Sequence, residues 1–252
     1  GSGAKTAVFC KLNPEEADLS ERFDGIAADL YWKPSAHTCS IRNQYFTADK
    51  EKRQCTSLGV CDPFRFDELP DVKTAVYHFA GLVYGDFDGA LLEEASKHGK
   101  VALDVQCMLR HVEPDKSMAF HDWAEKKQYL PMIDYLKTDA AEAEIMTGLT
   151  DRAAAARLLH EWGAKEVVIT HNTEVLAYDG ETIYTCPIKA RNLSGRTGRG
   201  DTTFAGYITE RQHASVEESL RYCTALVSLK METPGPFRGT REDVLEYMKA
   251  FY

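Results

Sequence analysis

A glycine-rich segment in the last third of the chain carries the residues best suited to chemistry. Residues 195–206 read GRTGRGDTTFAG, with three glycines in the first six positions and a helical pattern directly behind them. Glycines ahead of a helix expose backbone N–H groups at the positive end of the helix dipole, and such turns bind anions, phosphate above all. Arg196 and Arg199 add positive charge. The segment therefore predicts an anion site with backbone donors at Gly198, Arg199 and Gly200.

Asp201 follows the third glycine, at the position where a nucleotide-binding P-loop has Lys. A carboxylate there repels a donor's phosphates, so the segment is not a P-loop. It suits an acid that takes the proton of an attacking hydroxyl while backbone N–H groups stabilise the transferring phosphoryl group. The alternative is a tight turn with Asp201 as an ordinary helix N-cap. The density of glycines and the two arginines favour the chemical interpretation.

The surrounding chain predicts the elements that position this segment. From residue 75 onward, short apolar strands alternate with amphipathic helices, which indicates an α/β fold with a mostly parallel sheet. Ligands in such folds bind beyond the carboxyl ends of the strands. Asp104, residues 137–139 and residues 170–172 stand at such ends. These residues are therefore predicted to lie on the ligand side of the sheet.

The composition narrows the class of partner. The chain has 252 residues, 44% of them hydrophobic and 27% charged, and its formal net charge is −9. An acidic protein is poorly suited to nucleic acid, because clustered Lys and Arg hold phosphate backbones. No apolar run is long enough to cross a bilayer, and seven cysteines without a CxxC pair indicate reduced thiols. We therefore expect a cytoplasmic protein that binds neither nucleic acid nor membranes.

The glycine-rich segment resembles the ribokinase-like (PfkB) family of carbohydrate and nucleoside kinases. The family pattern runs roughly DTTGAGDxFxAG, and residues 195–206 keep its GxGD core, its Phe and its final Ala-Gly. The resemblance implies that Asp201 is the catalytic base and that the amides of Gly198, Arg199 and Gly200 form the anion hole. It also implies ATP and Mg²⁺ as cofactors and a small sugar or nucleoside as the partner.

Two departures from the family pattern matter for the site. Gly195 stands where the family has Asp, and Arg199 replaces a small residue. The first departure leaves undecided whether the chain has the family's monovalent-cation site. The second implies an extra positive charge near the phosphates or the substrate.

Further segments extend the resemblance along the chain. KTDAAEAE from Lys137 is similar to the family's KxNxxExE region, which implies Asp139 and Glu142 as magnesium ligands; a solvated helix with Asp139 as its cap is the alternative. Asn172 replaces a family Gly and, because Asn tolerates positive φ, is expected to keep the turn there. The resemblance also implies a nucleotide-binding set of Thr170, His171, Asn172, Pro234 and Gly235, and a substrate-binding pair of Asp104 and Arg110. A polar strand end and a helix-breaking loop explain the Asp104 and Pro234 segments about as well.

The resemblance covers nearly the whole chain and implies one domain. We expect residues 1–252 to form a single ribokinase-like three-layer αβα domain, with residues 37–60 as a β-hairpin of a small, partial lid. The family's first strand and its sugar-gripping Gly-Gly-x-x-x-N region are not found ahead of Ala4, so the chain is expected to be cut or naturally short there. Lids of this family often meet in dimers, so the resemblance also allows a homodimer.

Three functions remain open on the sequence. The first is ATP-dependent phosphoryl transfer to a hydroxyl of a sugar, polyol or nucleoside, with Asp201 as general base. The second is a catalytically impaired ligand-binding or regulatory relative, which the changes at Gly195, Arg199 and Asp139 favour. The third is a different transferase that uses the same anion pocket. The retained Asp201 favours the first, because a protein that only binds has no need of a base.

Overall fold

The computed structural model describes residues 4–26, 28–46 and 53–252. Its strands are β1 (Thr6–Leu12), β2 (Ala28–Pro34), β3 (Ser40–Tyr45), β4 (Arg53–Gly59), β5 (Val76–Phe79), β6 (Lys100–Asp104), β7 (Arg110–Val112), β8 (Met118–Phe120), β9 (Tyr135–Asp139), β10 (Glu166–Thr170), β11 (Glu174–Tyr178) and β12 (Ile183–Pro187). Its α-helices are α1 (Gly89–Ser96), α2 (Gln106–Leu109), α3 (Lys126–Tyr129), α4 (Ala140–Thr147), α5 (Arg152–Glu161), α6 (Arg199–Glu210), α7 (Val216–Met231) and α8 (Arg241–Phe251). Segments of 3-10 helix span Pro14–Phe23, Phe66–Glu68 and Leu130–Met132.

The chain divides into two compact units. The sheet unit contains residues 101–105 and 123–252, and the hairpin unit contains residues 4–100 and 106–122. The expectation of one domain over residues 1–252 stays a prediction. Within the described ranges, none of the helices has the length and apolar character needed to span a bilayer.

The sheet unit confirms the α/β pattern predicted from the sequence. Its strands follow the order β12-β11-β10-β9-β6, with β6, β9 and β10 parallel and β11 and β12 antiparallel. The three parallel strands are buried along nearly their whole length. Such continuous burial is expected of a sheet that is covered on both faces.

Four helices of the sheet unit begin at N-caps whose side chains bond the first turn, whereas α6, which matters for the site, does not. Asp139, Asp151, Ser215 and Thr240 each accept the N–H of the residue three positions later, at the starts of α4, α5, α7 and α8. These bonds satisfy one of the N–H groups that a helix start leaves open. Helix α6 begins at Gly198 without a side-chain cap. No side chain among the described residues therefore occupies the N–H groups of Gly200 and Asp201 in its first turn.

Tight packing fixes the position of α6. Phe204 and Tyr207 are fully buried, and a Cβ on Gly206 would lie 2.8 Å from Leu226 of α7. The Tyr207 hydroxyl donates to Glu166 Oε2 at 2.7 Å, at the start of β10. These contacts tie the second half of the helix to the sheet and to α7.

In the hairpin unit, β3 and β4 pair antiparallel, with Arg42 opposite Thr56. The hairpin predicted for residues 37–60 is present in its strands, its turn (residues 47–52) lies outside the described residues, and its role as a lid stays a prediction. Strands β1 and β2 pair in parallel, with Thr6 opposite Ala28. Strand β2 was not predicted from the sequence, because exposed residues and the terminal Pro34 give it no regular apolar pattern.

Two thiols and a carboxylate converge in the hairpin unit. The ligand atoms of Cys39, Cys61 and Asp86 all lie within 4.8 Å of one another. Asp86 Oδ2 accepts the N–H of Leu82 at 2.6 Å and of Val83 at 3.1 Å, and burial raises the pKa of this carboxyl. No motif in the sequence predicts this cluster, because its members come from three separate segments.

Candidate active site

The N-terminus of α6 forms an open turn of backbone donors. Gly198 has φ 80° and ψ 16°, in the left-handed region that favours glycine. Among the residues that the structure describes, the N–H groups of Gly198, Gly200 and Asp201 have no acceptor, whereas the N–H of Arg199 donates to Arg196 O at 3.3 Å. First-turn N–H groups and the helix dipole together attract anions. Gly198 and Gly200 thus fit the predicted anion hole better than the Arg199 amide.

Asp201 is the third residue of α6, and its side chain is exposed. The N-cap alternative for Asp201 is wrong, because Gly198 occupies the cap position. A Cβ on Gly198 would lie 3.9 Å from Asp201 Oδ2, so the carboxylate stands beside the open turn. An accessible carboxylate next to unused N–H donors is the arrangement that proton transfer coupled to phosphoryl transfer requires.

Lys137, near the carboxyl end of β9, brings a buried positive charge to this turn. Its Nζ donates to both carboxylate oxygens of Asp104, at 3.1 and 3.0 Å, and lies 3.8 Å from Glu142 Oε2. A Cβ on Gly200 would lie 3.1 Å from the same Nζ. Burial opposes the charge on Lys137, but Glu142 and Asp104 outweigh it and raise its pKa. This role of Lys137 was not predicted from the sequence.

Asp139 and Glu142 form a reciprocal capping box at the start of α4. Asp139 Oδ1 accepts the N–H of Glu142 at 2.8 Å, and Glu142 Oε2 accepts the N–H of Asp139 at 2.7 Å. The helix-cap interpretation of Asp139 is thus confirmed. Burial raises the pKa of Glu142, although Lys137 opposes the shift. One oxygen of each carboxylate lies outside the box, so the predicted magnesium role stays a prediction.

Asn172 organises two arginines at the edge of the turn. Its Oδ1 accepts Nη2 of Arg196 and Nη1 of Arg199, both at 2.7 Å. The expectation of a positive φ at Asn172 is wrong, since Lys116 alone among the described non-glycine residues has one. The side chain of Asn172, rather than its backbone, distinguishes this position from the family's glycine. It fixes both guanidinium groups beside the first turn of α6.

Of the other predicted nucleotide contacts, Thr170 and His171 bond to other residues of the protein, and Pro234 and Gly235 lie in a loop. Thr170 is buried and donates its hydroxyl to Thr138 O at 3.4 Å, and His171 Nδ1 lies 2.9 Å from Thr173 Oγ1. Pro234 and Gly235 are exposed in the loop after α7. That loop lines a pocket whose walls include Pro234, Pro236, Phe237 and Tyr247. Nucleotide binding by these residues stays a prediction.

The predicted substrate pair falls in different units. Asp104 belongs to the sheet unit and is 3% exposed, with its carboxylate on Lys137. Arg110 belongs to the hairpin unit, where its guanidinium donates to Gln106 and lies 5.5 Å from the centre of the Phe120 ring. Contact of either residue with a substrate stays a prediction.

Lys230, which was not predicted as a site residue, binds the glycine-rich loop from the side of α7. This residue of α7 is 3% exposed, and its Nζ donates to the carbonyl oxygens of Gly195 and Thr197. The sequence contains a pattern that could have identified it. Lys230 lies on the same helix face as Cys223 and Val227, which are both fully buried. A lysine on an apolar helix face calls for a specific partner.

Gly195 closes the loop against the end of α7. Its N–H donates to Met231 O at 2.7 Å, and a Cβ at this position would lie 1.9 Å from Thr233 O. The neighbouring Ser194 hydroxyl donates to Glu232 O at 2.8 Å. The close backbone approach explains why glycine, rather than the family's Asp, stands at position 195.

Comparison with known proteins agrees with this geometry. Residues 39–242 match the pfkB family of carbohydrate kinases. A solved pyrophosphate-dependent kinase of the ribokinase family, complexed with a pyrophosphate analog and myo-inositol, is 30% identical with a TM-score of 0.88, over 97% of this chain and 86% of that one. Arabidopsis thaliana ribokinase, complexed with ribose and ATP, has a TM-score of 0.76 at 19% identity over 97% and 82% of the two chains, which shows the fold alone.

A curated relative matches a shorter stretch. The cytidine kinase of Thermococcus kodakarensis is 36% identical over 85 residues, which are 32% of this chain and 31% of that protein. The matched stretch therefore spans about a third of that relative. Together the matches confirm the ribokinase-like α/β fold with its mostly parallel central sheet, and the chain belongs to the pfkB family of carbohydrate kinases.

Proposed function

We propose that the protein transfers a phosphoryl group to a hydroxyl of a small polyol or sugar, with Asp201 as the general base. The observation that carries this proposal is the exposed Asp201 carboxylate beside the uncapped N-terminus of α6. Cationic side chains surround the same turn: Lys137, Arg196, Arg199 and Lys230. Phosphoryl transfer needs mainly positioning, charge neutralisation and a base for the incoming hydroxyl, and this turn supplies all three.

Each group has a definite task in this mechanism. Asp201 accepts the proton of the acceptor hydroxyl as the oxygen attacks phosphorus. The N–H groups of Gly198 and Gly200 donate to the oxygens of the transferring phosphoryl group, whose charge the nearby Lys137 ammonium offsets. Because Lys137 is held by Asp104, its charge is in place before the donor binds.

The acidic pair at the start of α4 fits a hydrated Mg²⁺. Asp139 is half-buried and Glu142 lies behind it, each with one carboxylate oxygen outside the capping box. Magnesium favours one or two carboxylates together with waters and substrate phosphates, and it would neutralise charge on the donor. Asp139 would contact the hydrated ion, and Glu142 would orient Asp139 through the box.

Inorganic pyrophosphate is the donor that we propose. Pyrophosphate has no base or ribose to be recognised, so its binding depends on positive charge and on hydrogen bonds from planar guanidinium groups. Arg196 and Arg199 supply such groups, and Asn172 holds both in place. The similarity to a pyrophosphate-dependent kinase supports this choice. ATP is the second candidate, because the pocket beside Pro234 and Phe237 offers an apolar surface for an adenine ring.

A polyol or sugar is the acceptor class that we favour, with nucleosides second. The similar pyrophosphate-dependent kinase was solved with myo-inositol, and its chain is matched over 86% of its length. The match to a cytidine kinase covers 31% of that protein. A panel of acceptors therefore begins with cyclic polyols and extends to sugars and nucleosides.

The test is a rate measurement with both donors. Purified protein with Mg²⁺ and either pyrophosphate or ATP is assayed for acceptor-dependent phosphate or ADP release across the panel. Asp201→Asn is expected to lower kcat by about 100-fold or more, while pyrophosphate still binds. Glu242→Gln, which changes an exposed first-turn carboxylate of α8, is the matched control and should leave kcat unchanged.

Three outcomes separate the hypotheses. Turnover that Asp201→Asn abolishes supports the kinase and identifies its donor. Turnover at the wild-type rate in Asp201→Asn refutes the assignment of the base. Binding of donor and acceptor without turnover under any condition favours the ligand-binding alternative.

A further inference from the structure

Lys230 is a buried cation in the floor of the glycine-rich loop. Its Nζ donates to the carbonyls of Gly195 and Thr197, which precede it in the chain by 35 and 33 residues. A Cβ on Gly198 would lie 3.8 Å from the same Nζ. The ammonium therefore sits against the turn that opens α6, on the side that faces α7.

The direction of the two carbonyls sets the direction of the loop's N–H groups. In a trans peptide the C=O and the following N–H point to opposite sides. Because the Thr197 carbonyl points to Lys230, the N–H of Gly198 points away from it. The same holds for the Gly195 carbonyl and the N–H of Arg196. An ammonium inside the loop thus turns amide donors toward the outside, where Asp201 is exposed.

The bonding at Lys230 is the kind that proteins use for small monovalent cations. Main-chain carbonyls replace the water shell of potassium and, equally, hydrogen-bond an ammonium. The position in the last turn of α7 favours a cation further, because the negative end of the helix dipole lies there. Unlike a dissolved ion, an ammonium on a side chain is always present at its site.

We infer that Lys230 is a positioning residue whose ammonium serves as a built-in monovalent cation, which holds the loop so that its N–H groups face the phosphoryl donor. This inference rests on the proposed function, and it addresses the monovalent cation that Gly195 left undecided. The wild-type enzyme accordingly needs no potassium or ammonium in solution. Removing the side-chain ammonium leaves a space between two carbonyls that a dissolved cation of similar size fills.

The test combines a truncated and a filled variant of the full chain. Lys230→Ala is expected to lower kcat by about 100-fold, the effect of losing an oriented oxyanion donor. Ammonium, methylammonium or potassium chloride should restore roughly a tenth or more of the lost activity. Lys230→Met, whose side chain fills the space, should be as slow and should not respond. Lys165→Ala, which removes an exposed lysine, is the control and should match wild type with every salt.

A second readout needs no turnover. Amide hydrogen exchange in residues 195–201 should be faster in Lys230→Ala than in wild type, and ammonium should slow it again. Because exchange is measured without donor or acceptor, a failure of the kinase chemistry is told apart from a failure of this inference.

The inference is wrong if Lys230→Ala keeps the wild-type kcat and exchange rates. It is equally wrong if the folded Lys230→Ala protein is slow and no monovalent cation changes either readout. A wild-type rate that rises severalfold with potassium, but not with tetramethylammonium, also overturns it, and that measurement requires no variant.

Discussion

Two lysine–aspartate pairs of the sheet unit show how burial changes the contribution of an ion pair to stability. Lys137 and Asp104 meet at 3.0 Å with side chains 6% and 4% exposed, whereas Lys165 and Asp134 meet at 2.7 Å with Lys165 63% exposed. Water and salt screen the exposed pair, so it contributes little to stability. The buried pair has no such screening, so loss of the Lys137 ammonium is expected to cost more than loss of an exposed one.

We expect Lys137→Met to lower the free energy of unfolding by about 3–5 kcal/mol, because it removes the buried ammonium that compensates the charge of the Asp104 carboxylate. Lys165→Met, the matched exposed pair, should change it by less than about 1 kcal/mol. Urea denaturation of both variants provides the comparison. Adding Asp104→Asn to Lys137→Met should recover part of the loss. Equal effects of the two single lysine variants would contradict the role that we give to burial.

At the scale of elements, the end of α7 is a clamp on the loop that precedes α6. Lys230 and Gly195 form its inner part, and an ion pair forms its outer part. Arg191 Nε lies 2.8 and 2.9 Å from the two Glu232 oxygens, and the Tyr247 hydroxyl donates to the same carboxylate at 2.8 Å. A substitution in this clamp is therefore expected to shift the anion turn, although it alters none of the turn's own donor residues.

Gly195→Ala tests the inner part of the clamp. Its Cβ would lie 1.9 Å from Thr233 O, a backbone atom that moves only with the loop. We expect a loss of about 1–3 kcal/mol in stability, as for overpacking elsewhere, together with weaker pyrophosphate binding by calorimetry. Gly148→Ala is the control, since φ is 73° there and no atom lies within 4 Å of a Cβ. It should cost about 1–2 kcal/mol through backbone strain and leave pyrophosphate binding intact.

Glu232→Gln tests the outer part through pH. The hydrogen bonds from Arg191 hold the pKa of Glu232 at about 2, below its usual 4.5. A depressed folded-state pKa stabilises the protein above the unfolded pKa, and the contribution is lost as pH falls through the folded value. At pH 7 we expect Glu232→Gln to be less stable than wild type by about 1 kcal/mol, since Arg191 is exposed. Urea titrations should show this gap shrinking from pH 5 toward pH 3; a gap independent of pH would refute the assignment.

At the scale of the whole molecule, the chain is acidic, yet positively charged side chains surround the proposed anion site. The net charge is −9, yet two lysines and two arginines surround the N-terminus of α6. Charges within a few ångströms act on a bound anion more strongly than distant surface charges, which salt screens beyond about 8 Å at physiological ionic strength. Cytoplasmic location and a homodimer stay predictions.

This charge distribution predicts the salt dependence of the kinetics. Raising NaCl from low to high concentration should increase the KM for the anionic donor severalfold, because screening weakens its attraction to the cationic turn. The KM for an uncharged polyol acceptor should stay constant, and it serves as the internal control. A donor KM that is independent of salt would mean that these cations do not contribute to donor binding.

Local patterns in the sequence determined the elements and the location of the chemistry. The alternation of apolar strands with helices predicted the parallel strands β6, β9 and β10, and the glycine-rich segment predicted the open helix N-terminus with Asp201 beside it. Both depend on interactions within a few residues: the helical and strand periods, and the freedom of glycine to adopt the left-handed turn at Gly198. For the same reason the hairpin strands β3 and β4 were recognisable.

Only the tertiary structure decided how the site is held. Lys230 meets the loop 35 residues before it, Asn172 meets Arg196 across 24 residues, and Lys137 meets Asp104 across 33 residues. Such partners leave no local pattern, because the fold and not the spacing brings them together. From the sequence, an N-cap at Asp201 stayed open as an alternative, and a backbone turn was expected at Asn172. In the structure Gly198 occupies the cap position, and the side chain of Asn172 binds two arginines.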